Sequence, residues 1–244
     1  SALGAEFDAG GMSELESLEF QFMETAPLDV GALVWDKEQV RQQALPNLRS
    51  LVFHRSLIDT SSDSPVESGL RFIGLTLAFQ KGLTPGLTSL TVMHEDIHNT
   101  GCGGLARAFK AGMLPNLEYL NLAHNNIQDF GVRALAEAFE AGMLPNLEYL
   151  NLANNRIRDF GVRSLLAAFA AAPKLRLSRL ILHDNEFTPA IDGDFVTSLS
   201  GIFGEPKPLP ALTLLSWGRP GLALPQTRAA CDKNGITYFE SLWM

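Results

Sequence analysis

Two cysteines in 244 residues leave no disulfide framework to hold this chain together. Lys and Arg never form a run, and the formal net charge is −8. That balance argues against a groove that neutralises phosphates, so no nucleic-acid partner is expected. No stretch of eighteen apolar residues occurs, so no membrane span is expected. A signal-peptide pattern and Asn-x-Ser/Thr sites are both missing, which fits an intracellular, cytoplasmic protein. The sequence opens Ser-Ala-Leu-Gly, and residues 1–11 read as a flexible N-terminal tail or a remnant ahead of Met12. It also lacks a phosphate-cradling glycine loop, a nucleophile–base pair and a carboxylate dyad. No catalytic residue, cofactor or metal is therefore assigned, and the expectation is that the protein is not an enzyme.

What is present is a repeat. Leu114-Pro-Asn-Leu-Glu-Tyr-Leu-Asn-Leu-Ala123 returns unchanged as Leu144-Pro-Asn-Leu-Glu-Tyr-Leu-Asn-Leu-Ala153, and Asp129-Phe-Gly returns as Asp159-Phe-Gly. A fixed period of this length marks stacked units, each borrowing its neighbour's core. Leu120 and Leu122 alternate with Tyr119, Asn121 and Ala123, so the leucines share one face of a short strand. Asn125 then turns the chain, with a side-chain amide able to bond backbone groups that no ladder satisfies. From Gly131 the spacing becomes helical: Val132, Leu135, Ala136 and Phe139 form one stripe. Asp129 is placed to cap that helix, and Phe130 is expected to be buried. Gly142 and Pro145 end it.

The unit Leu-x-x-Leu-x-Leu-x-x-Asn-x-Ile resembles the leucine-rich repeat family, in its ribonuclease-inhibitor-like class, over roughly residues 45 to 190. The resemblance implies an α/β solenoid with a curved parallel sheet inside and helices on the convex face. Leu90, Leu120, Leu150 and Leu180 keep a period of thirty; Leu18, Leu51, Leu215 with Trp217, and Ile236-Thr-Tyr-Phe239 fit looser units. Seven strands and about six returns are counted, within a single domain over residues 12–244. Asn125, Asn155 and Asn185 keep the turn asparagine, whereas Glu95 and Ser56 replace it earlier. Asp59-Thr-Ser-Ser-Asp-Ser-Pro65 reads as a polar loop. Cys102 and Cys231 fall about four repeats apart, some 20 Å at ordinary strand spacing, too far for a disulfide. Free thiols suit a reducing compartment.

Most such solenoids bind proteins, so the resemblance implies a non-catalytic module that holds a protein or peptide on its concave sheet. The candidate contacts are Tyr119, Tyr149, Glu118, Glu148, Asn121, Asn151 and Arg179, with the two tyrosines side by side. The oligomeric state is left open. Two alternatives stand beside this reading. One is a GTPase-activating protein of the Ran-type leucine-rich class, although no acidic tail is present in these residues. The other is a structural subunit of a large assembly. His94 and His124 align on adjacent strands, with Asn154 and Asp184 continuing the row, and read as solvated polar residues rather than metal ligands. Arg107, Lys110, Arg133, Glu137, Glu140 and Arg163 read as ordinary solvated positions on the helices. The run from Ala167 to Ala172 offers a face nearly bare of charge.

Overall fold

The computed structural model describes residues 14–22, 45–55, 76, 79, 82, 84–172, 175–188, 211–216, 228, 229, 231, 232 and 235–239. The expectations for residues 1–11, Ser56, the Asp59–Pro65 segment and Trp217 lie outside these residues.

Among the described residues, eight parallel strands form one sheet in chain order, one more than the seven counted from the repeat. They are β1 (Ser17–Phe22), β2 (Ser50–Arg55), β3 (Ser89–Met93), β4 (Tyr119–Asn121), β5 (Tyr149–Asn151), β6 (Arg179–Ile181), β7 (Leu214–Ser216) and β8 (Thr237–Phe239). The eight coincide with the segments around Leu18, Leu51, Leu90, Leu120, Leu150, Leu180, Leu215 and Ile236 named from the sequence, and in the closing one Thr237, Tyr238 and Phe239 pair in full with β7. Among the described residues, helices α1 (His98–Lys110), α2 (Asp129–Glu140) and α3 (Asp159–Ala171) lie between successive central strands.

The register follows the leucines. Leu51, Leu90, Leu120, Leu150, Leu180 and Leu215 pair in sequence across the sheet, and each is nearly or fully removed from solvent. Val92, Leu122, Leu152 and Leu182 make a second buried row two residues on. From the helices, Phe109, Phe139 and Phe169 fill the same layer, the last two edge to face with centroids 5.2 Å apart. Burying one such side chain contributes about 1.5–3 kcal/mol. The stacking therefore holds each unit through its neighbours rather than through a centre of its own.

Polar residues stitch the units together in three rows. In the turn row, Asn155 Oδ1 accepts from the backbone N–H of Asn125 (3.1 Å) and Ile127 (2.9 Å). Its Nδ2 donates to the carbonyls of Leu122, Leu152 and Ala153 at 3.0–3.1 Å. Asn125 and Asn185 repeat this pattern, and all three are buried, as the sequence predicts. Glu95 occupies the equivalent buried place one unit earlier.

The second row corrects an expectation. Asp129 does not cap the helix it begins. Its Oδ1 accepts from the backbone N–H of Arg158 (2.7 Å) and Gly161 (3.1 Å), so it caps α3 in the following unit. Asn99 does the same for α2, bonding the N–H of Gln128 and Gly131 at 3.0 Å each. Asp159 continues the row to the N–H and hydroxyl of Thr188. This explains the glycine of Asp-Phe-Gly: a Cβ on Gly161 would stand 2.6 Å from the Asp129 carboxylate oxygen. The third row is Asn116 to the Pro85 carbonyl and Asn146 to the Pro115 carbonyl, 3.1 Å each, which gives the Leu-Pro-Asn motif its asparagine.

A further correction concerns the phenylalanine of the same tripeptide. Phe130 is 72% exposed and Phe160 51%, where burial was expected. The cap turns the start of each helix so that its second residue leaves the apolar stripe. Gly142 ends α2 with φ at +68°, the left-handed turn that glycine allows without strain. Cys102 and Cys231 are both buried free thiols. Cys102 donates to the Gly131 carbonyl at 3.2 Å, and burial pushes its thiol well above the ordinary range.

Candidate functional site

The helix-free face of the sheet carries the side chains that alternate with the leucines. Register places Tyr119 opposite Tyr149 and Tyr149 opposite Arg179. The two phenol rings stack with centroids 4.2 Å apart and planes 8° from parallel. This is tighter than side-by-side placement on adjacent strands requires. Both are partly buried, and burial pushes the Tyr149 hydroxyl up to about 12, with Tyr119 adding to the shift. Glu118, Glu148 and Arg179 flank the pair and are exposed.

Asn121 and Asn151 make hydrogen bonds within the sheet face. Asn121 is buried; its Oδ1 accepts from the Ala123 N–H at 3.1 Å and its Nδ2 lies 3.3 Å from Met93 Sδ. Asn151 is partly buried and braces Ala153 in the same way at 2.9 Å, while its Nδ2 reaches the Tyr149 hydroxyl at 3.4 Å. These amides fix the ends of the strands and orient the tyrosine, so Tyr119, Tyr149, Arg179 and the two glutamates remain as the accessible members of the group. Beside them the face is apolar. Ala123, Ala153 and Ile181 form a buried cluster, with Met93, Tyr149 and Leu214 packed against it. The outward alanines thus form a floor rather than free surface, because Tyr149, Met93 and Leu214 lean over them.

The opposite margin holds histidines. His94 and His124 stack with centroids 4.1 Å apart, and His54 meets His94 edge-on at 5.4 Å. His183 Nδ1 lies 2.8 Å from Asp184 Oδ2. His94 is pushed down to about 4, first by burial and then by the neighbouring His124 and His54, against a smaller pull from Asp96. His124 is lowered by burial and by His183. The row of His94, His124, Asn154 and Asp184 has a backbone reason. Each stands one residue before the turn position with φ between 51° and 59°, a left-handed region that Asn, Asp and His tolerate better than bulkier types. Sequence reading found the row but not the His94–His124 stack, which depends on the left-handed turn at both residues, nor the edge-on contact of His54. Among the described residues, no group of three or more His, Cys, Asp or Glu is placed to hold a metal ion. None of their helices is long and apolar enough to cross a membrane.

Away from the sheet, the charged residues of the helices lie at the surface. Lys110 pairs with Glu137, which also meets Arg133 at 3.6 Å. Ala167, Ala170 and Ala171 are exposed on α3.

Comparison with known proteins agrees with the geometry. Residues 114–165 match the family model described as leucine rich repeats in two copies. The fold is a leucine-rich repeat solenoid. Among solved structures, the chain is similar to leiomodin-1 actin-binding site 2, at 16% identity and a TM-score of 0.52, over 71% of this chain and 89% of that one. It is also similar to an internalin from Listeria monocytogenes, at 15% identity and a TM-score of 0.45, over 96% of this chain and 50% of that one. No curated relative matches the chain in sequence. Leucine-rich repeat proteins are typically protein-interaction modules.

Proposed function

We propose that the helix-free face of this sheet binds a protein or peptide, with the Tyr119–Tyr149 stack as its anchor and Glu118, Glu148 and Arg179 setting charge specificity. The observation that carries this reading is the stacked pair standing beside an apolar floor of Ala123, Ala153 and Ile181. Two aromatic rings already held against each other lose little freedom on binding, and each offers large area with a polar tip. The strands beneath are pinned by buried amides, so the surface is rigid before a partner arrives. In this reading the module is a single non-catalytic domain of an intracellular protein. The thirty-residue period with a helix in each central unit favours the ribonuclease-inhibitor-like class.

The test is capture of partners from the source cell by wild type and by a Tyr119→Ala, Tyr149→Ala double variant. A partner held on this face is expected to lose about 2 kcal/mol or more of affinity, with the circular dichroism spectrum unchanged. Unaltered binding by the folded variant refutes the proposal.

A further inference from the structure

The exposed phenylalanines lie on a different part of the molecule, at the edge where turns lead into helices. Phe130 begins a small cleft of about 210 Å³ whose other walls are Gln128, Asp129, Arg156, Arg158 and Glu186. Phe160 stands at the equivalent position one unit on and is exposed as well. Successive units thus leave a large apolar side chain exposed at the same position, beside a cleft that carries charge.

The charges in the cleft are not balanced evenly. One Asp129 oxygen is committed to the start of α3. Glu186 is taken up by Arg158, whose Nε lies 3.1 Å from it. Arg156 is exposed and meets no carboxylate among the described residues. Duplication does not account for this arginine. Units 114–143 and 144–173 differ at nine of thirty positions, and two of the nine put Arg156 and Arg158 where the earlier unit has Asn126 and Gln128. Glu118, Asp129, Glu137 and Glu140 against Arg133 give the earlier unit a formal charge of −3. Glu148 and Asp159 against Arg156, Arg158 and Arg163 give the later one +1. In a chain of net −8, the shift toward positive charge brings two arginines to the wall facing Phe130.

We propose that this cleft is a second binding site, separate from the sheet face, for an acidic protein segment that carries an aromatic or aliphatic residue next to a carboxylate. The carboxylate would pair with Arg156, whose planar guanidinium suits a two-point contact. The apolar residue would cover Phe130, and the segment would run on toward Phe160. The cleft holds about one side chain, so the rest of the affinity must come from an extended ligand lying along both units.

The experiment uses the full chain and a fluorescein-labelled peptide, Glu-Asp-Phe-Glu-Asp-Leu, with a control in which every acidic residue is Lys. Fluorescence polarisation is expected to show saturable binding of the acidic peptide only. The variant Arg156→Asn, Arg158→Gln installs the residues that the earlier unit carries at these positions and is expected to weaken binding about tenfold or more. Phe130→Ser with Phe160→Ser should do the same, while Tyr119→Ala with Tyr149→Ala should leave the affinity unchanged. No binding, equal binding of the basic control, or insensitivity to the arginine variant overturns the proposal. Loss of binding in the tyrosine variant alone also overturns it, by moving the peptide to the sheet face.

Discussion

Replacing Asn155 by leucine keeps the branched shape of the side chain and removes all of its hydrogen bonds. The wild-type amide is 6% exposed and bonded on both sides. The substitution leaves the N–H groups of Asn125 and Ile127 without an acceptor, in a layer that water does not reach. It also strips a donor from three carbonyls. Each orphaned buried donor costs about 1–3 kcal/mol, and the carbonyls, with a second lone pair and freedom to tilt, cost less. The expected loss is about 2–5 kcal/mol. Urea unfolding followed by circular dichroism measures it. The control is Asn146→Ala, which removes one exposed bond to the Pro115 carbonyl and should cost less than about 1 kcal/mol. If Asn155→Leu unfolds at the same midpoint as that control, the turn row does not stabilise the stack and the reasoning fails.

Other outcomes are open to measurement. Leu150→Ala opens a cavity between two neighbours that already fill their own rows, and should cost about 2–5 kcal/mol by urea unfolding. Asp129→Ala should lower stability by about 0.5–2 kcal/mol through the start of α3, with Asp129→Asn retaining most of the cap; equal losses would assign the effect to charge instead. The depressed His94 sets a pH window. Unfolded histidine takes up its proton near 6.5, whereas folded His94 resists until about 4. Stability from this group is therefore full above pH 6.5 and is lost as pH falls from there to about 4. The variant His94→Asn, His124→Asn, which copies the residue found at Asn154, should show a smaller fall in Tm between pH 7.5 and pH 4.5 than wild type. An equal fall would place the acid sensitivity elsewhere.

Much of the fold was legible because repetition multiplies weak signals. One Leu-x-Leu pair says little, but Leu90, Leu120, Leu150 and Leu180 in step fix strand, register and direction together. The turn asparagines were legible for the same reason. What sequence could not show was which unit a polar residue serves. Asp129 sits where a cap of its own helix belongs by spacing. The structure gives it to the next helix, through the N–H groups of Arg158 and Gly161 that stacking brings within hydrogen-bond reach. The exposure of Phe130 follows from that displacement, and hydrophobicity alone pointed the wrong way. At the candidate site, alternation placed the two tyrosines on neighbouring strands but did not show the burial of Asn121, since alternation describes direction and not crowding. The His94–His124 stack depends on left-handed turns, which a pattern of residue types does not reveal.

The bonds between units run in both directions. Caps reach forward from Asn99 to α2 and from Asp129 to α3, while turn amides reach back from Asn155 to the preceding turn. Each central unit therefore ends in half-made bonds of matching kind on its two sides. A cut at an arbitrary point strands them, but removal of one whole period brings matching halves together again. With thirty residues excised between Tyr119 and Leu150, Asn99 would meet the N–H of Arg158 and Gly161 as it now meets Gln128 and Gly131. Across the three central units, length is thus free to change by whole periods without stranding a cap or a turn amide.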